Sequence, residues 1–256
     1  MKTSKNQKGK KMFNLKEKLE FLEDGIDFPF YNDIPKLSIA EWMLVLISII
    51  LVLYISLISE IPQEWFSLSL FIVTVIPALY ICKGNYGLFF KMPKSKDFKL
   101  IVLCLIGYYV YGFIMGRILE FIGTGDVVHA GISSFASPDL FFVANMLLQL
   151  LQEEFFKIFM FLFVMYIVYK HTSNRNWALG LGVFFALIIF GLAHYDAYDG
   201  NILQIIFIQG FGSIFYFYPY LKTKSVVLPY IIHVIIDFLP VVMYLLMTFF
   251  GIPITV

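Results

Sequence analysis

Hydrophobic residues in this chain form seven long runs separated by short polar loops. The runs predict helices at roughly 41–59, 66–82, 100–121, 139–170, 176–194, 201–218 and 226–250. Each run is about as long as the roughly 20 residues that a helix needs to cross a bilayer. The pattern therefore predicts an all-α, polytopic membrane bundle with about seven transmembrane helices.

The composition agrees with a membrane protein, because 60% of the residues are hydrophobic and only 14% are charged. The mean hydropathy is +0.81, well above that of soluble domains. The net charge of +1 gives no sign of a nucleic-acid partner, and none is predicted. Cys82 and Cys104 lie in apolar runs, so neither a disulfide framework nor a cysteine zinc site is predicted. The 29 Phe and 16 Tyr are interpreted as lipid-facing and interfacial residues.

The loops alternate in charge along the chain. Basic residues follow the second, fourth and sixth helices: Lys83, Lys91, Lys94, Lys96, Lys99, Lys170, Arg175, Lys222 and Lys224. Acidic residues occupy the other loops: Glu60, Glu64, Glu120, Asp126, Asp196 and Asp199. Cytoplasmic loops are enriched in Lys and Arg, so the N-terminus is predicted in the cytosol and the C-terminus outside. The Lys- and Ile-rich composition favours a bacterial plasma membrane.

Residues 1–38 are hydrophilic, and they lack the short apolar core and cleavage site of a signal peptide. Some apolar positions in this segment follow a helical period: Phe13, Leu15, Leu19, Leu22 and Ile26. A short amphipathic helix on the inner membrane surface and a solvated tail both fit this pattern. We therefore predict a cytosolic tail at 1–38 and a transmembrane domain at 39–256.

Five ionisable residues lie inside the predicted spans: Glu153, Glu154, His194, His233 and Asp237. Such residues are costly at membrane depth unless they face a partner or a polar cavity. His233 and Asp237 are four residues apart and share a helix face, so we expect the carboxylate to bond the imidazole and fix its tautomer.

Helical rise also predicts a common depth for these residues. Counted along their helices, Glu153, His194 and His233 come to lie about 9 to 12 Å above the inner boundary of the hydrocarbon core. A water-accessible cavity in the inner half of the membrane is therefore predicted.

Carboxylates and imidazoles around buried water are suited to peptide hydrolysis. Glu153 would take a proton from water, while the imidazoles bind a metal or stabilise the oxyanion. In the metal version, Glu153, His194 and His233 would hold a divalent ion, most simply zinc. The HExxH spacing of zinc proteases is absent. The residues leave open whether metal or glutamate alone activates the water.

Three motifs resemble those of a known family. Glu153-Glu154, "FGLAH" (190–194) and "HVIID" (233–237) are similar to the EExxxR, FxxxH and HxxxN/D motifs of the CPBP (Abi) family. That family comprises intramembrane proteases related to type II CAAX prenyl endopeptidases and bacteriocin-processing proteins. The resemblance covers roughly residues 100–245.

The resemblance implies a role for each matched residue. Glu153 would activate water and Glu154 would support it. His194 and His233 would bind metal or the oxyanion, and Asp237 would orient His233 or contact the oxyanion. A peptide or membrane protein would be the substrate.

One position departs from the family pattern. Ile158 stands where EExxxR has arginine, with Lys157 beside it. Lys157 lies about 100° around the helix from that position, so the sequence does not establish that it replaces the arginine as an ion-pair partner.

Two other hypotheses stay open at this point. The chain could be a non-catalytic member of the family that acts in bacteriocin self-immunity or as a membrane scaffold, which the departure at Ile158 favours. It could also be an ion or proton transporter whose carboxylates relay charge, although the sequence shows no inverted repeat.

Overall fold

Seven long helices make up most of residues 26–58, 60–124 and 140–250, which the computed structural model describes. They are α1 (Ile39–Leu57), α2 (Gln63–Ile81), α3 (Asp97–Phe121), α4 (Leu140–Thr172), α5 (Arg175–Leu192), α6 (Ile202–Thr223) and α7 (Val227–Phe249). The predicted all-α bundle is confirmed, and α6 runs farther than the predicted 218. The surface helix predicted around residues 13–26 lies almost wholly outside the described residues.

Within the described residues, five helices are long and apolar enough to cross a membrane, namely α1, α3, α5, α6 and α7. A shorter apolar stretch, Trp65–Ile81, forms most of α2. The 33 residues of α4 extend about 50 Å, which exceeds the hydrocarbon core of a bilayer. The chain is a multi-pass membrane protein.

Side-chain caps fix where two of these helices begin. Ser38 and Glu41 form a capping box at the start of α1, in which each residue's side chain bonds the other's backbone N–H. The Asn174 side chain accepts hydrogen bonds from the N–H groups of Asn176 and Trp177 at the start of α5.

The central helix is α4, which packs against α1, α2, α5 and α7. Phe155, Phe159 and Phe161 on this helix are buried in the core. By contrast, α3 packs against α6 and α7 and exposes apolar residues such as Phe113. The interpretation of the phenylalanines as lipid-facing therefore suits α3 and is wrong for the buried phenylalanines of α4.

The first half of α6 is irregular. Ile205–Gly210 forms a π-helical stretch and Phe211–Ser213 a 3₁₀ turn, before a regular helix resumes at Ile214. Such a stretch shifts backbone groups out of the ordinary ladder, and the Tyr111 hydroxyl of α3 donates to the Phe207 carbonyl at 2.7 Å.

The π-helical stretch of α6 crosses α5 backbone to backbone at Gly191. A Cβ atom on Gly191 would lie 2.6 Å from the Ile205 carbonyl oxygen and 3.0 Å from the Gly210 Cα. Small residues permit this close approach, which is a common way for membrane helices to associate. The contact fixes α5 just before its end, three residues before His194.

Replacing Gly191 by alanine should destabilise the bundle by about 1 to 3 kcal/mol. The new methyl group meets backbone atoms, which cannot move aside by changing rotamer as a side chain can. Thermal unfolding in detergent measures the effect. Gly180→Ala is the matched control, since a Cβ there meets nothing within 4 Å on the same helix. If Gly191→Ala and Gly180→Ala unfold at the same temperature, the close backbone contact between α5 and α6 at Gly191 is contradicted.

Residues 26–37 form a strap that packs into the bundle before α1. Phe28, Phe30 and Tyr31 are at most 3% exposed, and the Phe28 ring lies 5.0 Å from the Phe161 ring of α4. This part of the predicted tail is therefore built into the core.

An ion pair between Asp27 and Arg175 joins the strap to the start of α5. Arg175 Nη2 lies 2.6 Å from Asp27 Oδ1, and the Tyr31 hydroxyl donates to Asp27 Oδ2 at 2.6 Å. Burial tends to raise the pKa of Asp27, but the hydrogen bonds from Arg175 and Tyr31 outweigh it and lower that pKa below its usual value.

Asp27→Asn should lower the free energy of unfolding by about 1 kcal/mol at neutral pH. A carboxyl whose pKa is lowered by folding stabilises the protein above its unfolded pKa, about 3.9, and loses this contribution as the pH falls through its folded value. The difference between wild type and variant should thus shrink as the pH falls below the unfolded pKa and vanish once the pH is below the folded pKa, in unfolding measurements. Asp33→Asn, at an exposed strap position, is the control.

Candidate active site

A buried ion pair lies within α4 at the level of the two adjacent glutamates. Lys157 Nζ lies 2.8 Å from Glu154 Oε1, and both side chains are fully buried. The same Glu154 oxygen lies 2.7 Å from His233 Nδ1 on α7. With Glu154 ionised, Nδ1–H donates to it, which leaves Nε2 to face the rest of the site.

The neighbouring Glu153 points to the other side of the imidazole. Its Oε2 lies 3.7 Å from His233 Nε2, which is beyond hydrogen-bond length and close enough for a water molecule to bridge the two groups. Its other oxygen accepts a hydrogen bond from Gln149 Nε2 at 3.1 Å, and Ser67 of α2 donates to Gln149 Oε1 at 3.2 Å. Gln149 thus fixes Oε1 of Glu153, while Oε2 makes no direct hydrogen bond to His233.

The predicted hydrogen bond between Asp237 and His233 is wrong. Asp237 Oδ2 lies 3.7 Å from His233 Nε2, so this i,i+4 pair forms no direct hydrogen bond. Glu154, from a different helix, bonds Nδ1 instead. Asp237 remains 34% exposed and lines the open side of the cluster.

His194 lies just past the end of α5 and is half-buried. Its Nδ1 is 2.8 Å from the Phe190 carbonyl oxygen, so that nitrogen carries the proton and Nε2 is directed away. The Phe190 ring lies 4.7 Å from the His194 ring and 6.5 Å from the His233 ring. Phe190 therefore packs near both imidazoles.

The predicted metal ligands are Glu153, His194 and His233. Both imidazoles have Nδ1 anchored to an acceptor, as metal-ligating histidines usually do. However, no group of three or more His, Cys, Asp and Glu side chains among the described residues is arranged to hold a metal ion. The arrangement does not fit a metal as it stands, and a zinc or other divalent ion stays a prediction.

Several residues that sequence reasoning did not select also surround this cluster. The Tyr216 ring of α6 stacks on the His233 ring at 4.2 Å, and Lys157 Nζ lies 3.8 Å from the Tyr216 ring centre. Tyr198 is buried, and its hydroxyl accepts a hydrogen bond from Gln209. Among the residues around the cluster, only Gln149 could have been found from the sequence, because it lies four residues before Glu153 on the same helix face.

The two acidic loop residues that follow α5, Asp196 and Asp199, are exposed.

Residues 135–239, less than half of the chain, match the family described as Type II CAAX prenyl endopeptidase Rce1-like. We call these matched residues the Rce1-like segment. The match confirms the family resemblance, and the Rce1-like segment contains all five residues selected from the sequence: Glu153, Glu154, His194, His233 and Asp237. No curated protein and no solved structure matches the chain.

The two adjacent glutamates of the Rce1-like segment should differ in their effect on stability. Glu154→Gln leaves the Lys157 ammonium buried without its counter-ion, which should cost about 3 kcal/mol or more, whereas Glu153→Gln removes no such partner. Unfolding temperatures of the two variants in detergent provide the comparison. A loss of stability confined to Glu153→Gln would contradict the ion-pair assignment.

Proposed function

We propose that this chain is an intramembrane endopeptidase that hydrolyses a peptide bond of a membrane-associated peptide or protein. One observation carries the proposal. Within the Rce1-like segment, Glu153 faces His233 Nε2 across 3.7 Å, at a site that is enclosed by the membrane helices.

Glu153 supplies the base in the proposed reaction. A water molecule between Glu153 and His233 loses a proton to the carboxylate as its oxygen attacks the carbonyl carbon of the substrate. When the C–N bond breaks, Glu153 returns the proton to the departing amine. The hydrogen bond from Gln149 orients the carboxylate and leaves Oε2 for the water.

Charge balance supports a role for the imidazoles at the oxyanion. The carboxylates of Glu153, Glu154 and Asp237 surround His233, while the ion pairs of the described residues place one lysine at these three carboxylates, Lys157 on Glu154. When His233 Nε2 also takes up a proton, the imidazole becomes cationic, which lowers this excess of negative charge and makes the nitrogen a donor to the oxyanion. His194 has its Nδ1 anchored to the Phe190 carbonyl, so its Nε2 would be a donor only in the same cationic form.

The pairing of Lys157 with Glu154 supports a catalytic protein over a non-catalytic one. Ile158 leaves the motif without its arginine, but Glu154 has a buried cationic partner in Lys157. The site lies in the inner half of the membrane if the N-terminus is cytosolic, as the loop charges favour. Its substrate would thus be cleaved near the cytosolic leaflet of a bacterial plasma membrane.

Glu153→Gln should reduce peptide cleavage by about 100- to 10,000-fold, because the amide cannot take the proton from water. The assay uses purified protein with a peptide found by comparing membrane peptidomes of cells with and without the chain. Farnesylated and unmodified forms of that peptide then show whether a prenyl group is required.

Glu120→Gln serves as the matched control for this assay, since Glu120 is an exposed carboxylate at the end of α3. It should cleave at the wild-type rate. Wild-type cleavage by Glu153→Gln in folded protein would refute the proposed mechanism. If the peptidomes do not differ, the proposal of proteolysis fails.

A further inference from the structure

Lys157 has an unusual environment for a lysine. Its side chain is fully buried, and its ammonium group lies 4.3 Å from the Phe190 ring centre and 3.8 Å from the Tyr216 ring centre. Both distances are within the range of cation–π attraction. The ammonium group therefore has three partners, the two ring faces and the carboxylate of Glu154.

Each partner of Lys157 in turn contacts a site imidazole. Glu154 bonds His233 Nδ1, and the Tyr216 ring stacks on His233 with an interplanar angle of 20°. The Phe190 ring packs edge-on against His194, and its carbonyl oxygen bonds His194 Nδ1. One cation thus lies at the centre of the contacts that orient both imidazoles.

Helix geometry explains why Lys157 can occupy this place. Residues three apart on a helix are neighbours, so Lys157 reaches Glu154 along the same face. Ile158 is also fully buried in the apolar core. Moving the cation to position 158 would therefore place a charge among apolar side chains.

We infer that Lys157 is a positioning residue of the active site, whose ammonium group holds Glu154, Phe190 and Tyr216 so that His233 directs Nε2 toward Glu153 and His194 keeps Nδ1 on the Phe190 carbonyl. This inference rests on the proposed proteolytic function for its kinetic consequences. Its geometric consequence, the fixed tautomer of His233, does not depend on proteolysis.

Kinetics provide the first test, with Lys157→Met and Lys157→Arg. Methionine keeps an apolar side chain between the rings and removes the charge, so kcat should fall about 100-fold with little change in KM, as expected for misplaced catalytic groups. Arginine keeps the charge and should recover much of the rate. Lys170→Met, at an exposed position of the same helix, should leave kcat unchanged.

A double variant separates positioning from stability. Lys157→Met combined with Glu154→Gln leaves no unpaired buried charge, so its unfolding temperature should return toward that of wild type. Its kcat should stay low, because His233 no longer has a charged acceptor. Recovery of wild-type kcat in this folded double variant would overturn the positioning role.

Nuclear magnetic resonance of protein labelled with ¹⁵N-histidine provides a test that needs no substrate. The chain has four histidines, and His233→Gln identifies the His233 signals by their loss. At a pH where the imidazole is neutral, wild type should show the His233 proton on Nδ1, and Lys157→Met should show a mixture of tautomers. An unchanged His233 spectrum in Lys157→Met would overturn the inference, whereas absent cleavage with the expected spectra would overturn only the proposed function.

Discussion

The ion pair between Glu154 and Lys157 is the interaction on which the rest of the site depends. Burying two charges costs several kcal/mol each unless the geometry is good and further partners are present. Here the 2.8 Å contact is joined by the His233 bond to Glu154 and by two aromatic faces around the ammonium group. These partners come from α5, α6 and α7, so the pair on α4 couples four helices at one depth.

Adjacency allows the two glutamates to have different roles. Consecutive helical residues point about 100° apart, so Glu154 is directed into the core while Glu153 faces the open side of the cluster. The first is fully buried and fixed by a cation and an imidazole. The second is fixed at one oxygen by Gln149 and keeps the other near His233 Nε2. A structural carboxylate and the proposed catalytic base thus occupy successive positions.

The helices could be predicted from sequence because the length and hydropathy of membrane spans are strongly constrained. The five selected polar residues could be found because charges are costly at membrane depth. Their partners could not, since spacing shows that His233 and Asp237 share a face but not that Glu154, 79 positions away, bonds the imidazole. The sequence does not distinguish Phe190 and Tyr216 from other residues of their types, because the chain has 29 Phe and 16 Tyr. The packing of the strap could not be predicted either. Residues 26–37 follow no helical period, and Phe30 has a φ of 73°, which is uncommon for a residue other than glycine.

The π-helical stretch at Ile205–Gly210 sets the register of everything that follows it in α6. Such a stretch corresponds to one extra residue in an α-helix, and removing that residue would rotate the later positions by about 100°. Tyr216 would then turn away from both His233 and Lys157. A homologue one residue shorter here would need a different side chain to cover the imidazole, and an ungapped alignment of the two chains would equate residues that do not occupy the same place.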